Sequence, residues 1–155
     1  MSFCSYLCPD MIRLGDPAPN KKKVLETLAD LFASHSTLKA QTILQLLFER
    51  EKLGSTALGK GVAVPHCRVA GLDEPLACLL HTKTGVDYDA PDDAPVSLFF
   101  ALLVPESAPD EHLQLLSDLA QRLDDPACVK RLTQAPDAAG IIAELRQTMP
   151  AQHHE

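Results

Sequence analysis

The stretch Val96-Ser97-Leu98-Phe99-Phe100-Ala101-Leu102-Leu103-Val104 is apolar at nearly every position. A strand that faces water on one side alternates apolar and polar residues, whereas a strand buried on both faces does not. A buried helix segment would have the same periodicity, but the β-branched and aromatic residues, with Pro95 and Pro105 as borders, favour a strand. We therefore predict a central strand that other parts of the chain cover on both faces.

Apolar periodicity elsewhere predicts further strands and helices around this one. Strands are expected at 11–14, 62–64 and 76–80, and a loop at 85–95. Apolar residues at helical spacing predict five helices, at 24–32, 43–48, 113–123, 129–132 and 141–145. The second helix is expected to stop at Leu53-Gly54, and the third to begin after an N-cap at 107–110. A polar, frayed tail is expected from Met149.

The order of these elements indicates a sheet with helices packed against it, in the α/β or α+β class. The sequence contains neither an internal repeat nor a linker. We therefore expect a single domain over residues 1–155, with its core over about 11–145.

Composition and charge exclude several classes of function. The chain has 46% hydrophobic and 23% charged residues, which is ordinary for a globular protein. A net charge of −7 and the absence of tryptophan argue against a nucleic-acid partner, because phosphates repel acidic surfaces and single strands need aromatic stacking. No stretch approaches the ~20 apolar residues of a membrane span, and the N-terminus lacks a signal-peptide pattern. Five scattered cysteines without a Cys-x-x-Cys pair favour a reduced, cytoplasmic setting.

The octapeptide Gly61-Val62-Ala63-Val64-Pro65-His66-Cys67-Arg68 places a histidine directly after a proline that stops a short apolar run. His66, fixed at a strand end with Lys60 and Arg68 close in sequence, is a candidate nucleophile toward an anionic group. The glycines on either side of Lys60 would let the backbone approach a ligand closely. From these residues alone, a surface-loop histidine fits equally well.

His112 is a second candidate, in the first turn of the helix after the central strand. The unpaired N–H groups of a helix N-terminus favour a phosphate. Taken alone, however, a histidine beside Asp110 and Glu111 fits a solvated helix cap better. Together with His66 and Cys67 it would supply three metal ligands, but the spacing matches no metal motif, so we expect no metal. The sequence also lacks a Gly-x-Ser-x-Gly elbow and a P-loop.

Four segments, in this order and at these distances, together resemble one protein family. They are 50–56 (Arg-Glu-Lys-Leu-Gly-Ser-Thr), 59–66 (Gly-Lys-Gly-Val-Ala-Val-Pro-His), 100–105 (Phe-Ala-Leu-Leu-Val-Pro) and 111–123, which begins Glu-His-Leu. The family is the enzyme IIA domain of the phosphoenolpyruvate-dependent phosphotransferase system, in its fructose/mannitol/nitrogen-regulatory branch. The resemblance extends from about Met11 to Leu145, which is nearly the whole chain.

The resemblance implies an α/β fold with a central mixed sheet of about five strands flanked by helices. It also implies that His66 takes a phosphoryl group from a histidine-containing phosphocarrier protein and passes it on or holds it as a signal. His112 matches the second histidine of the family, and Arg50 matches an arginine that helps to bind the phosphoryl group. No cofactor is implied, because a phosphorylated imidazole is itself activated. Cys67 departs from the family, in which a glycine often follows the active histidine.

Alternatives to a phosphorylated carrier stay open at this level. No permease is fused to the sequence, so we expect the stand-alone nitrogen-regulatory type, with kinases or transporters as possible targets. The IIA component of a fructose- or mannitol-type transporter is the nearest alternative. A regulatory module that binds such targets independently of phosphorylation, and a small metal-dependent hydrolase, are the others. Whether the chain counts as an enzyme is equally open, because a phosphohistidine carrier is only transferase-like.

Overall fold

The structure is a computed structural model that describes residues 3–107 and 110–148. Its helices and strands follow the order predicted from the sequence. They are a 3-10 turn at Phe3–Tyr6 and another at Pro9–Met11, then β1 (Ile12–Asp16), α1 (Lys21–Ser34), α2 (Ala40–Lys52), β2 (Ala57–Gly59), β3 (Val62–Ala63), β4 (His66–Val69), β5 (Leu76–Val86), β6 (Val96–Pro105), α3 (Asp110–Leu123), α4 (Pro126–Gln134) and α5 (Ala138–Thr148).

Six strands form one mixed sheet around β6. β6 pairs antiparallel with β5 on one side and parallel with both β3 and β4 on the other. β1 lies parallel to β5, and β2 lies antiparallel to β3. β3 and β4 follow the same edge of β6, and the break between them falls at Val64-Pro65. Proline has no N–H to donate to a strand ladder, so it interrupts the strand at this point.

β6 is the covered central strand that its composition predicts. All of its residues from Leu98 to Val104 are at most 1% exposed. Phe99 and Phe100 point to opposite faces of the sheet, as consecutive strand residues do. The Phe99 ring packs edge-to-face against Tyr88 at 5.3 Å, and the Phe100 ring packs against Phe3 at 5.6 Å. The sheet therefore has a Phe99 face and a Phe100 face, and both are covered.

Different helices cover these two faces. α1 contacts β5 and α2, and its first residue, Lys21, lies over the Tyr88 ring on the Phe99 face. Asn20 starts α1 by accepting a hydrogen bond from the Lys23 backbone N–H at 2.9 Å. α3 and α5 both contact the turn that carries Phe3, so they lie on the Phe100 face. Among the described residues, no helix has the length and apolar character needed to cross a bilayer.

The five predicted helices and the predicted strands are confirmed, with some corrections. β2 and β4 were not predicted, and β5 runs to Val86, into the segment expected to be a loop. The N-terminal segment also contains two 3-10 turns, which the apolar periodicity did not predict. β2 and β4 have only three and four residues, too few for a periodic pattern, and tertiary pairing determines them. The N-cap expected at 107–110 includes positions 108 and 109, and these, like the tail from Met149, lie outside the described residues.

Candidate functional site

His66 is the first residue of β4, just past the break at Pro65. Its Nδ1 atom lies 2.8 Å from the carbonyl oxygen of Val64, two residues earlier in the chain. A carbonyl oxygen can only accept a hydrogen bond, so the neutral ring must carry its proton on Nδ1. The lone pair on the other ring nitrogen, Nε2, is then free. This is the form of imidazole that acts as a nucleophile.

The surroundings of His66 keep its ring neutral. Burial lowers the pKa of His66 below the ordinary value of about 6.5, because the charged form loses its hydration. The hydrogen bond to Val64 opposes this effect, the positive charge of Arg50 adds to it, and the negative charge of Glu51 opposes it. Since burial is the largest cause, the imidazole is uncharged at pH 7, as a nitrogen nucleophile requires.

Arg50 lies in the last turn of α2 and is half-buried. Its Nη1 donates a hydrogen bond to the Gly54 carbonyl at 3.0 Å, which anchors the guanidinium at the turn that ends the helix. A guanidinium has five N–H donors, so this bond leaves others available for an anion. Because the Arg50 charge acts on the His66 ring, the structure brings these two predicted site residues into one electrostatic environment.

His112 lies in the first turn of α3, and the sheet register shows which side of the sheet it shares with His66. His66 is the register partner of Leu102. Leu102 points to the same face as Phe100, because residues two apart in a strand point the same way. α3 covers the Phe100 face. The two histidines therefore lie on one side of the sheet.

The end of α3 fixes how far along the sheet His112 stands. The Lys60 Nζ donates to the carboxylate of Asp124 at 2.8 Å and to its carbonyl at 2.9 Å, so the helix ends beside the turn between β2 and β3. That turn is hydrogen-bonded to the start of β6. From this level, His112 lies about 18 Å along the helix at ~1.5 Å per residue. His66 lies about 13–16 Å along the sheet at ~3.3 Å per residue. With the axis of α3 taken along the strands, the two histidines thus come to similar levels along the sheet.

The His112 ring has an unsatisfied atom. Its Nδ1 is buried and has no hydrogen-bond partner among the described residues. A buried polar atom left without a partner costs about 1–3 kcal/mol, so such atoms are rare and call for a reason. A phosphoryl group on His66 would bring oxygen acceptors to this same side of the sheet. The His112 ring therefore has a hydrogen-bonding capacity that the described residues do not use.

The cations that first draw attention to the octapeptide have other partners. Lys60 is bound to Asp124 through its side chain, and its backbone N–H donates to Asp92 Oδ2 at 2.9 Å. Lys60 and the glycines beside it all have positive φ, so these glycines shape the β2–β3 turn. The Nη1 of Arg68 lies 3.4 Å from the Glu106 carbonyl, beyond the end of β6. Arg50 is therefore the cation that the structure associates with His66.

Cys67 faces away from His66. Consecutive residues of a strand point to opposite faces, and in β4 the side chain of His66 is half-buried while that of Cys67 is buried in the core. Burial raises the pKa of Cys67 to about 12. The thiol therefore acts as a small apolar core group and is not a nucleophile paired with His66.

Sequence reasoning assigned no role to Glu51, although it is one of the few buried charges. It is 7% exposed and accepts hydrogen bonds from Thr56 and Tyr88. The signal was present in the spacing. Ile43, Leu47 and Glu51 follow one another at four-residue intervals and form the buried stripe of α2. A carboxylate in an apolar stripe needs buried partners, which marks it as a residue with a specific task.

The described residues contain no group of three or more histidine, cysteine or acidic side chains placed to hold a metal ion. The three residues that could in principle form such a group do not converge, because Cys67 points to the other face of the sheet from His66.

Comparison with known proteins gives a consistent family. The family model described as "Phosphoenolpyruvate-dependent sugar phosphotransferase system, EIIA 2" matches residues 5–148. The nitrogen regulatory protein of Pseudomonas aeruginosa is 46% identical over 136 residues, which cover 87% of this chain and 88% of that protein.

Solved structures agree with the family match. Nitrogen regulatory protein IIA-Ntr from Neisseria meningitidis superposes with a TM-score of 0.88 at 39% identity, over 92% of this chain and 97% of its own. The Escherichia coli complex of enzyme IIAMtl with phosphorylated enzyme IIBMtl includes a chain that superposes with a TM-score of 0.74, over 91% of this chain and 97% of its own. At 22% identity, this last likeness concerns the fold alone.

Proposed function

The chain belongs to the EIIA 2 family of the phosphoenolpyruvate-dependent sugar phosphotransferase system, and from this premise we propose that His66 is its phosphoryl-accepting residue, assisted by Arg50 and His112. A phosphocarrier and regulatory role is that of the family and of its nitrogen regulatory members. The observation that carries the assignment to His66 is its Nδ1 contact with the Val64 carbonyl, which leaves Nε2 free.

The reaction needs no cofactor. The Nε2 lone pair of His66 attacks the phosphorus of a phosphohistidine on the donor protein, and an N–P bond forms. The donor's own N–P bond breaks and its electron pair returns to the donor ring. That ring leaves as neutral imidazole because its other nitrogen is protonated, so its positive charge passes to the phosphorylated ring of His66. The proton on the Nδ1 of His66 stays in its hydrogen bond to Val64 throughout. Because the transferring group passes through a loose, anionic state, the protein contributes mainly positioning and charge balance.

Arg50 and His112 supply the charge balance. The guanidinium of Arg50 presents planar N–H donors that suit phosphoryl oxygens, and its positive charge opposes the charge that arrives. His112 lies on the same side of the sheet and at a similar level along it, with an unsatisfied ring nitrogen. It offers a hydrogen bond to a phosphoryl oxygen, and the first turn of α3 adds a favourable dipole.

The proposal is tested by incubating the protein with phosphoenolpyruvate and the two upstream proteins of the system, followed by intact mass measurement. We expect an acid-labile gain of one phosphoryl group in the wild type and none in His66→Ala. His35→Ala is the matched control, because His35 is exposed at the end of α1 and should leave the gain intact. An unchanged mass gain in His66→Ala would overturn the assignment.

The proposed donor is a histidine-containing phosphocarrier protein, and the proposed output is nitrogen or metabolic regulation. Two observations support the regulatory branch, the 46% identity to the P. aeruginosa nitrogen regulatory protein and the 39% identity to IIA-Ntr. The sugar-transporter alternative has its own relative, the fructose-specific EIIA component of Haloferax volcanii, which is 32% identical over 81% of this chain and 82% of that protein. A likeness in fold alone, at 22% identity, extends to a chain solved with phosphorylated enzyme IIBMtl. Phosphoryl transfer from this chain to a IIB protein, measured with purified components, would favour that alternative.

The surface between the site and the β2–β3 turn fits protein partners. Leu53 is 84% exposed just past Arg50, and Leu58 is 39% exposed in β2. A groove of about 620 Å³ runs between β2 and α3. We place regulatory targets, such as kinases or transporters, among the proteins that would dock on this surface. None of the five cysteines forms a disulfide, which fits the proposed cytoplasmic location.

A further inference from the structure

Glu51 is a buried carboxylate with a partner on every side. Its Oε1 accepts from the Thr56 backbone N–H at 3.2 Å and pairs with the Lys21 ammonium at 3.1 Å. Its Oε2 accepts from the hydroxyl of Thr56 and from that of Tyr88, the latter at 3.1 Å. Both donors of Thr56 are therefore held by one carboxylate, which fixes the position of that residue.

Thr56 in turn restrains Val64, which lies at the break just before the strand that begins at His66. Its carbonyl accepts a hydrogen bond from the Val64 N–H at 3.0 Å. The Val64 carbonyl in turn accepts from the Nδ1 of His66 at 2.8 Å. Pro65, between them, cannot donate to a strand ladder, so the bond to Thr56 is what holds Val64 at the break between β3 and β4. A continuous series of hydrogen bonds thus joins Glu51 to the His66 ring.

Lys21 supplies the charge that a buried carboxylate needs. It is the first residue of α1, far from Glu51 in sequence, and its side chain is 20% exposed. Its Nζ also lies 4.5 Å from the centre of the Tyr88 ring and 3.4 Å from Asp89. Removing one partner of a buried ion pair leaves an uncompensated charge, which the structure relieves by moving or protonating the carboxylate. Either response loosens the hold on Thr56.

We propose that the Lys21–Glu51 ion pair is a positioning element for His66, which fixes the Val64 carbonyl and so keeps the ring protonated on Nδ1 with Nε2 free. This inference rests on the proposed function of His66. Lys21 and Glu51 do not touch the reacting atoms, so they act through Thr56 and Val64.

The test uses the full chain labelled with ¹⁵N-histidine, in which long-range ¹H–¹⁵N spectra report which ring nitrogen of His66 carries the proton. We expect the Nδ1–H form in the wild type and a mixture with the Nε2–H form in Lys21→Met and in Glu51→Gln. Phosphoryl acceptance should show a fall in kcat on the order of tenfold to a hundredfold. The KM for the donor protein should stay within about twofold, because the docking surface is unchanged.

Two matched variants separate positioning from general effects of charge or folding. Lys21→Arg keeps the cation and should restore the Nδ1–H form and most of kcat. Lys22→Met removes the exposed lysine next in the helix and should change neither readout. If Lys21→Met or Glu51→Gln does not fold, Tyr88→Phe decides, since it removes only one hydroxyl bond to Glu51 and should give a smaller change in the same direction.

An intact Nδ1–H form and unchanged kcat in the folded variants would overturn the positioning role, as would an effect on KM alone. The proposed function of His66 and the positioning role of the ion pair can be disproved independently of each other. A wild type that takes up no phosphoryl group would remove the proposed function, whereas the ring-nitrogen assignment in the variants would still decide whether the ion pair positions His66.

Discussion

The Nδ1 atom of His66 lies 2.8 Å from the carbonyl oxygen of Val64, across a proline that breaks the strand. This contact ties the chemistry of the site to the local backbone. Pro65 interrupts the strand, and the interruption leaves the Val64 carbonyl free to accept the ring N–H, while the Pro65 carbonyl accepts from Leu102 at 3.0 Å. The Val64-Pro65-His66 sequence therefore favours the tautomer of His66 that carries its proton on Nδ1.

Replacing Arg50 should weaken phosphoryl acceptance. We expect Arg50→Ala to lower the rate by about 10²-fold, because one preorganised donor to a developing anion is lost. The rate of Arg50→Lys should lie between those of the wild type and Arg50→Ala, because lysine keeps the positive charge but lacks the planar set of N–H donors of a guanidinium. Quenched-flow mass measurement of phosphorylated protein gives the rates. Lys52→Ala, which removes an exposed cation of the same helix turn, is the control. A rate in Arg50→Ala equal to that of Lys52→Ala would rule out the role.

The titration of His66 should reflect its burial and its two charged neighbours. Burial lowers its pKa, so we expect an NMR titration midpoint below about 6.5 in the wild type. Arg50 lowers the pKa further, so Arg50→Ala should move the midpoint up. Glu51 raises it, so Glu51→Gln should move the midpoint down. A wild-type midpoint above 6.5 would contradict a ring that is neutral because it is buried.

His112 should matter more for releasing the phosphoryl group than for taking it up. We expect His112→Ala to slow onward transfer to an acceptor more than it lowers acceptance from the phosphocarrier, because the ring acts on the oxygens of the phosphorylated state. His112→Gln keeps an N–H donor and should be the milder change. Transfer in both directions can be followed by the loss and gain of phosphorylated protein. Equal onward rates in His112→Ala and the wild type would leave His112 without a role.

The Cys67 thiol should be inert in the folded protein. Its pKa of about 12 leaves almost no thiolate at pH 8, and its side chain is buried. We expect iodoacetamide to label the exposed Cys8 in native protein and Cys67 only after denaturation. Peptide mass mapping measures both positions in one sample. Rapid native labelling of Cys67 would place this thiol on the accessible side of the strand and contradict the observed alternation.

The parts of the fold that the sequence predicts well are those with long periodic signals. The nearly continuous apolar run 96–104 identified the central strand, and leucines at helical spacing identified α3. β2 and β4 escaped because their few residues have no period of their own and owe their strand form to pairing with β3 and β6. The strand order could not be predicted either, because it depends on which strand edges pair in three dimensions.

The candidate site divides in the same way. His66 and His112 were candidates from their local sequence, but a surface histidine fitted each of them equally well or better. The family resemblance favoured both and added Arg50, because spacing alone does not relate residues so far apart in the chain. The cations adjacent to His66 in sequence, Lys60 and Arg68, drew attention but lie against other groups. The buried hydrogen-bonding and ionic contacts of Glu51 were not predicted at all. Lys21 from α1 and Tyr88 from the loop between β5 and β6 contact Glu51 only after the helices pack on the sheet.

The central claim is that phosphorylation occurs on the Nε2 atom of His66, and it can be measured directly. The protein, labelled with ¹⁵N-histidine, is phosphorylated through its upstream proteins and examined by ¹H–¹⁵N and ³¹P spectra, which identify the ring nitrogen bonded to phosphorus. We predict a single phosphohistidine, at His66, with phosphorus on Nε2 and the proton retained on Nδ1. Phosphorus on the Nδ1 of His66, or on any other residue, would contradict the account.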